Sequence, residues 1–224
     1  MALAVVHPAT EAPDAAAEEA GRRLFAQICD FVAGAANSAA IPPDSLPEIA
    51  VAGRSNVGKS SLLNALTGRH ALARISRTPG RTQQLNFFAL GERLMLVDLP
   101  GYGFAAASKR QVAGWTALTR HYLKGRASLR RVLLLIDARH GIKETDRPVM
   151  AMLDEAGVSF QLVLTKIDAA KPAELDQLIG TIAAELKTHV AAHPVIHLTS
   201  AETGEGITAL RAALGALAAP PPPR

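Results

Sequence analysis

Short apolar runs and amphipathic stretches alternate along most of this chain. Apolar runs of about four to eight residues between turn residues read as buried strands, and longer stretches with apolar positions three and four apart read as helices. By that rule Pro47–Ala52, Leu85–Leu90, Arg93–Leu99, Val132–Asp137, Phe160–Thr165 and Val195–Ser200 are strands. Helices are expected at 15–29, with Asp14 as N-cap, and at Ser61–Leu66, Ser108–Leu123, Thr145–Glu155, Pro172–His189 and Gly206–Leu217. Gly91-Glu92 makes a turn between the second and third strands, which pairs them antiparallel. Elsewhere strand and helix alternate, so the chain predicts an α/β fold: a mainly parallel six-stranded sheet with one antiparallel edge strand and helices on both faces. Ligands of such sheets sit at the carboxyl ends of the strands.

Composition narrows the class. The 224 residues are 49% hydrophobic and 20% charged, which predicts one packed globular domain and excludes a disordered chain. The apolar run Val132–Ile136 is far too short to span a bilayer, so no membrane association is expected. Glu11, Asp14, Glu18 and Glu19 stand among alanines near the start, a pattern unlike a signal peptide. The single cysteine, Cys29, permits no intrachain disulfide and suits the cytoplasm; it reads as a small packing residue. The formal net charge of +4 only hints at an anionic partner, but Lys109, Arg110, Arg120, Lys124, Arg126, Arg130 and Arg131 form a stretch without acids that can attract a phosphate backbone.

The most specific chemistry lies in Gly53-Arg54-Ser55-Asn56-Val57-Gly58-Lys59-Ser60, which fits G-x-x-x-x-G-K-[ST] between a strand and a helix. The glycines let the backbone wrap an anion, the following helix opens with a positive dipole, Lys59 can reach β- and γ-phosphates, and Ser60 can place a hydroxyl on Mg²⁺. Later elements choose among phosphate-loop proteins. Asp98-Leu99-Pro100-Gly101 offers a carboxylate toward Mg²⁺ and a glycine N–H toward a γ-phosphate. Thr165-Lys166-Ile167-Asp168 closes a buried strand. There Asp168 can accept both donors of a guanine edge, a pair adenine lacks, while the Lys166 stem lies along the base. Thr165 stands where the usual guanine pattern has Asn; its hydroxyl could cover part of that role. Thr199-Ser200-Ala201 can present backbone N–H groups to the guanine O6, a weak signal alone. Between the first phosphate-loop helix and the second strand, the loop with Gly80, Arg81, Thr82, Gln83 and Gln84 reads as a γ-phosphate sensor in which Thr82 binds Mg²⁺.

These motifs resemble the EngB (also YihA or YsxC) family of bacterial GTP-binding proteins. The match is carried by Gly53–Ser61, Thr78-Pro79-Gly80-Arg81-Thr82-Gln83, Asp98–Gly103 including Tyr102, Thr165–Asp168 with its Thr, and Thr199–Ala201, and it runs from about Phe31 to Leu217. The resemblance implies a phosphate-loop G domain over 31–218, flanked by an N-terminal extension (1–30) and a proline-rich tail (219–224). It implies GTP and GDP as ligands, Mg²⁺ held by Ser60 and Thr82, and slow GTP hydrolysis. The large ribosomal subunit and its RNA are the implied partners, with a role in subunit assembly and in normal division and septation. The protein is expected to act as a monomer.

Lys59 and Asn56 are the candidate catalytic residues: Lys59 by its charge, Asn56 by holding K⁺ against the phosphates or, equally well, by merely capping the turn. Tyr102 stands where many GTPases have a water-orienting Gln, so no base is assigned. His189, His193 and His197 are four apart, but Pro194 breaks the helix that would align them on a metal. Trp115 reads as core rather than as a recognition aromatic. Two other functions stay open: another G-domain regulator of the tRNA-modification or iron-transport kind, and a small-molecule phosphate-loop kinase, which would not need Thr165–Asp168.

Overall fold

The computed structural model describes residues 14–69, 84–103 and 109–220, and for 109–115 only the backbone. The elements are α1 (Ala15–Phe25), β1 (Cys29–Ala35), β2 (Glu48–Gly53), α2 (Lys59–Thr67), β3 (Leu85–Leu90), β4 (Leu94–Asp98), α3 (Lys109–Leu123), β5 (Leu129–Asp137), α4 (Arg147–Ala156), β6 (Phe160–Thr165), α5 (Pro172–Leu186), β7 (His197–Leu198) and α6 (Ile207–Gly215). They build a seven-stranded sheet in the order β1-β3-β4-β2-β5-β6-β7. The β1–β3 and β3–β4 pairings are antiparallel, and every other pairing is parallel.

The sheet thus has one strand more than the six expected, and the antiparallel strand β3 lies inside it, covered by β1, instead of at the edge. The helix expected over 15–29 stops at Phe25, and the chain re-enters as a strand at Cys29. Cys-Asp-Phe-Val-Ala-Gly-Ala carries little alternation, and its exposed Phe31 and Val32 sit on a sheet edge that a periodicity reading does not recognise.

Alternation explains how one sheet serves two helix layers. Along β5, Val132, Leu134 and Ile136 join Tyr122, Met150 and Ile182 beneath α3, α4 and α5. Leu133 and Leu135 join Leu24, Leu62, Leu66, Leu210 and Leu214 beneath α1, α2 and α6. Successive side chains point to opposite faces, and each fully buried leucine contributes about 1.5–3 kcal/mol. Helix α1 lies on α6 so closely that a Cβ on Gly21 would sit 2.7 Å from the Arg211 and Ala212 backbone. The segment expected as an extension through residue 30 therefore adds Leu24, Phe25 and Cys29 to the core.

At the end of the sheet away from the phosphate loop, Glu48 is buried and accepts from the Tyr122 hydroxyl (2.8 Å) and from Arg126 Nε (3.0 Å). Arg126 also lies over the Phe87 and Tyr122 rings, 6.0 and 5.8 Å from their centroids. Three donors and acceptors of one buried cluster are thereby satisfied together, as burial of charge demands.

Candidate nucleotide-binding site

β2 ends in the loop Arg54–Gly58, and α2 begins at Lys59. Asn56 (φ 65°) and Gly58 (φ 104°) both adopt left-handed backbone, and Gly58 supplies no capping side chain to α2. The first-turn N–H groups of α2 are consequently left for an anion. The Lys59 ammonium forms an ion pair with Asp98, which is buried at the end of β4. The two residues chosen for phosphate charge and for metal contact thus meet in the structure. Ser60 follows Lys59 directly. Hydroxyl and carboxylate oxygens are the donor set that Mg²⁺ prefers, so Ser60 and Asp98 fit that ion.

The third wall comes from β6. The Thr165 hydroxyl donates to the Val57 carbonyl (2.6 Å) and lies 3.3 Å from the Ile136 carbonyl. Lys166, itself left-handed (φ 59°), donates from Nζ to the Asn56 carbonyl (2.7 Å). A threonine in place of asparagine therefore still ties the Thr165–Asp168 segment to the phosphate loop, through a hydroxyl and a lysine. Lys166 also pairs with Asp137 at 3.0 Å. Burial pushes the Asp137 carboxyl up, but Arg139 and Lys166 outweigh it and hold the group well below the usual carboxylate range. Asp137 was read from sequence only as the end of a strand; its signal is an acid at the carboxyl end of a parallel strand two residues before an arginine.

Asp168 stands exposed in a short helical turn, Ile167–Ala169, at a cavity of about 700 Å³. That size lies within the range of small-ligand sites. Gly58, Ser61, Thr165, Lys166, Thr199 and Ala201 also line it, so the phosphate loop, β6 loop and β7 loop share one chamber. Thr199 is held by its hydroxyl on the Leu164 carbonyl (2.9 Å), and Ser200 Oγ accepts from Glu202 N (3.2 Å) and Thr203 N (3.1 Å), which shapes the turn. The α2 side contributes Asn64 and Arg69, neither of which the motifs singled out.

Not every predicted residue presents its side chain to this chamber. Val57, Leu99 and Ile167 are buried in the core, so they offer a ligand only backbone. Gln84 donates to Asn86 on β3 (2.9 Å) and is not among the cavity-lining residues. Gly80, Arg81, Thr82 and Gln83 lie outside the described residues, as do the side chains of Lys109, Arg110 and Trp115. Tyr102 is buried and donates its hydroxyl to Asp146 (2.8 Å). The histidines are used locally: His189 contacts Asp154 (2.6 Å), His193 Nδ1 accepts from Val195 N (3.3 Å), and His197 is buried in β7. The basic stretch is partly internal, since Arg126 binds Glu48 and Arg131 donates to Gln161 (2.9 Å).

A phosphate-loop strand–loop–helix, an aspartate at the end of β4 and a guanine-type T-K-x-D segment on one mainly parallel sheet define the class: an α/β phosphate-loop GTPase G domain. Comparison with known proteins agrees. The family model described as "50S ribosome-binding GTPase" matches residues 48–166, and that of the elongation factor Tu GTP-binding domain matches residues 113–220. A "Probable GTP-binding protein EngB" of Rhodospirillum rubrum is 60% identical, covering 92% of this chain and 91% of its own. One from Granulibacter bethesdensis is 54% identical, covering 94% of both. A solved structure titled as a probable GTP-binding protein engB superposes with a TM-score of 0.63 at 24% identity, over 76% of this chain and 97% of that one. The chain belongs to the EngB family of GTP-binding proteins. No helix among the described residues is long and apolar enough to cross a membrane.

Proposed function

We propose that this protein is a slow GTPase that works as a nucleotide switch in the assembly of the large ribosomal subunit. The observation that supports the switch is the Lys59–Asp98 ion pair at the head of α2, directly after Gly58, which lines the same chamber as Lys166 and Asp168. Lys59 and the head of α2 bind and orient the phosphates, while Asp168 accepts from the guanine edge. Ser60 and Asp98, with Thr82, would hold Mg²⁺, which when bound neutralises phosphate charge. The buried Tyr102 hydroxyl is committed to Asp146, which supports slow hydrolysis because it is not turned to an attacking water. Asn56 would hold K⁺ beside the phosphates; turnover faster in KCl than in NaCl is expected, and equal rates would remove that role.

The ribosomal part of the proposal draws on the description of the matched family model and on the exposed cations Arg120, Lys124 and Arg130. It gives the protein a cytoplasmic place of work as a monomer, and makes septation and division depend on it through the supply of subunits. Titration calorimetry tests the base reading: GTP and GDP should bind and ATP should not, and Asp168→Asn should move preference toward xanthine nucleotides. Equal affinity for adenine and guanine nucleotides would overturn it. Co-sedimentation with large subunits should depend on the bound nucleotide and weaken with salt.

A further inference from the structure

Asp146 is a wholly buried acid at the N-terminal cap position of α4, yet its side chain makes no capping bond to that helix. An aspartate in that position ordinarily accepts from its own first turn. Here one oxygen accepts from the Tyr102 hydroxyl (2.8 Å) and lies 3.3 Å from Arg54 Nε, and the other accepts from Lys143 N (2.7 Å). Arg54 belongs to the phosphate loop, and Tyr102 follows the Asp98–Gly101 turn. The same two residues form a backbone bridge, with Ser55 N donating to the Tyr102 carbonyl (2.9 Å) and Tyr102 N to the Gly53 carbonyl (3.3 Å). Gly101 is pressed against Ser55, where a Cβ would lie 3.2 Å from Ser55 Oγ. Burial and the neighbouring carboxylate push the Tyr102 hydroxyl well up, so it remains a donor.

We propose that Asp146 is a positioning residue that clamps Tyr102 and Arg54 and so holds the Asp98–Gly101 turn in register with the phosphate loop. The proposal rests on the reading of this chamber as a guanine-nucleotide switch and deepens it. A buried carboxylate needs its partners: two hydrogen bonds, from the Tyr102 hydroxyl and Lys143 N, and the charge of Arg54 from the phosphate loop, so loss of one partner leaves the buried charge poorly compensated. A diphosphate uses the phosphate loop alone. A triphosphate also needs the Gly101 N–H, and therefore needs both loops held together. Preorganisation lowers the ordering cost of the triphosphate complex only.

The test measures the affinity of fluorescent GDP and of a non-hydrolysable fluorescent GTP analogue for the intact chain, for Tyr102→Phe, for Asp146→Asn and for the double variant. Tyr102→Phe keeps the buried ring, and Asp146→Asn keeps the shape; thermal melting checks that each is folded. Each single variant should weaken the GTP analogue about five- to tenfold, and GDP less than about twofold, the scale of one ordinary net hydrogen bond. The double variant should lose less than the product of the two single losses, since both act on one shared cluster. Equal weakening of the two nucleotides, no weakening of either, or additive losses would overturn the clamp. Failure of the underlying reading shows differently: the unmodified chain would then hold ATP as tightly as GTP.

Discussion

His197 shows how a single residue acquires a property its sequence does not display. Burial, then the neighbouring His193 and Arg131, lower its pKa from 6.5 to about 4. The folded protein therefore keeps the ring neutral where the unfolded chain already takes up a proton. Stability is complete above pH 6.5 and is lost as pH falls through the window down to about 4. The loss at the acid end is of the order of a few kcal/mol. Thermal melting between pH 7 and pH 4 should show this fall, and His197→Gln should flatten most of it. An unchanged pH profile in that variant would place the sensitivity elsewhere. Thr165 teaches the complementary lesson. From sequence it was a departure from the guanine pattern, and in the fold its hydroxyl reaches the Val57 carbonyl, 108 positions away along the chain.

At the scale of elements, α1 and α6 matter more than their distance from the motifs suggests. Arg211 on α6 donates to the Ala65 and Leu66 carbonyls, each at 2.9 Å, and so caps the C-terminal end of α2, the helix that starts from the phosphate loop. Gly21 allows α1 to lie directly on this part of α6. A Gly21→Val variant must push the two backbones apart, at a cost of about 1–3 kcal/mol. A lowered melting temperature is expected, with GDP still stabilising the variant, because no residue of α1 or α6 lines the chamber. Unchanged melting would mean that α1 does not hold the packed position. The expected helix at 15–29 was half legible: Asp14 caps it as read, accepting from Ala16 N at 3.0 Å. Its end was not legible, because pairing with β3 decides where β1 begins.

For the molecule as a whole, the fold redistributes charge that looked contiguous. Of the basic stretch Lys109–Arg131, Arg126 and Arg131 turn inward, and Arg120 lies 3.7 Å from Glu155. Lys124 and Arg130 are left exposed. If RNA meets this surface, the double variant Lys124→Glu, Arg130→Glu should weaken co-sedimentation with large subunits and reduce the salt slope by about one for each phosphate contact removed. Nucleotide affinity should be untouched. Weakened nucleotide binding, or unaltered co-sedimentation, would argue against that surface.

Local spacing was enough to mark the phosphate loop, the Asp98–Gly101 turn and the Thr165–Asp168 segment, because each motif is one short stretch whose chemistry depends on neighbours in the chain. The alternation of strands with helices along the chain likewise announced a mainly parallel sheet with helices on both faces. The seventh strand, the interior place of β3, the Arg54–Asp146–Tyr102 clamp and the inward turn of Arg126 and Arg131 were decided only by tertiary structure. Each depends on which distant segments pack together, and burial, which selects partners across space, leaves no periodic trace in the order of residues.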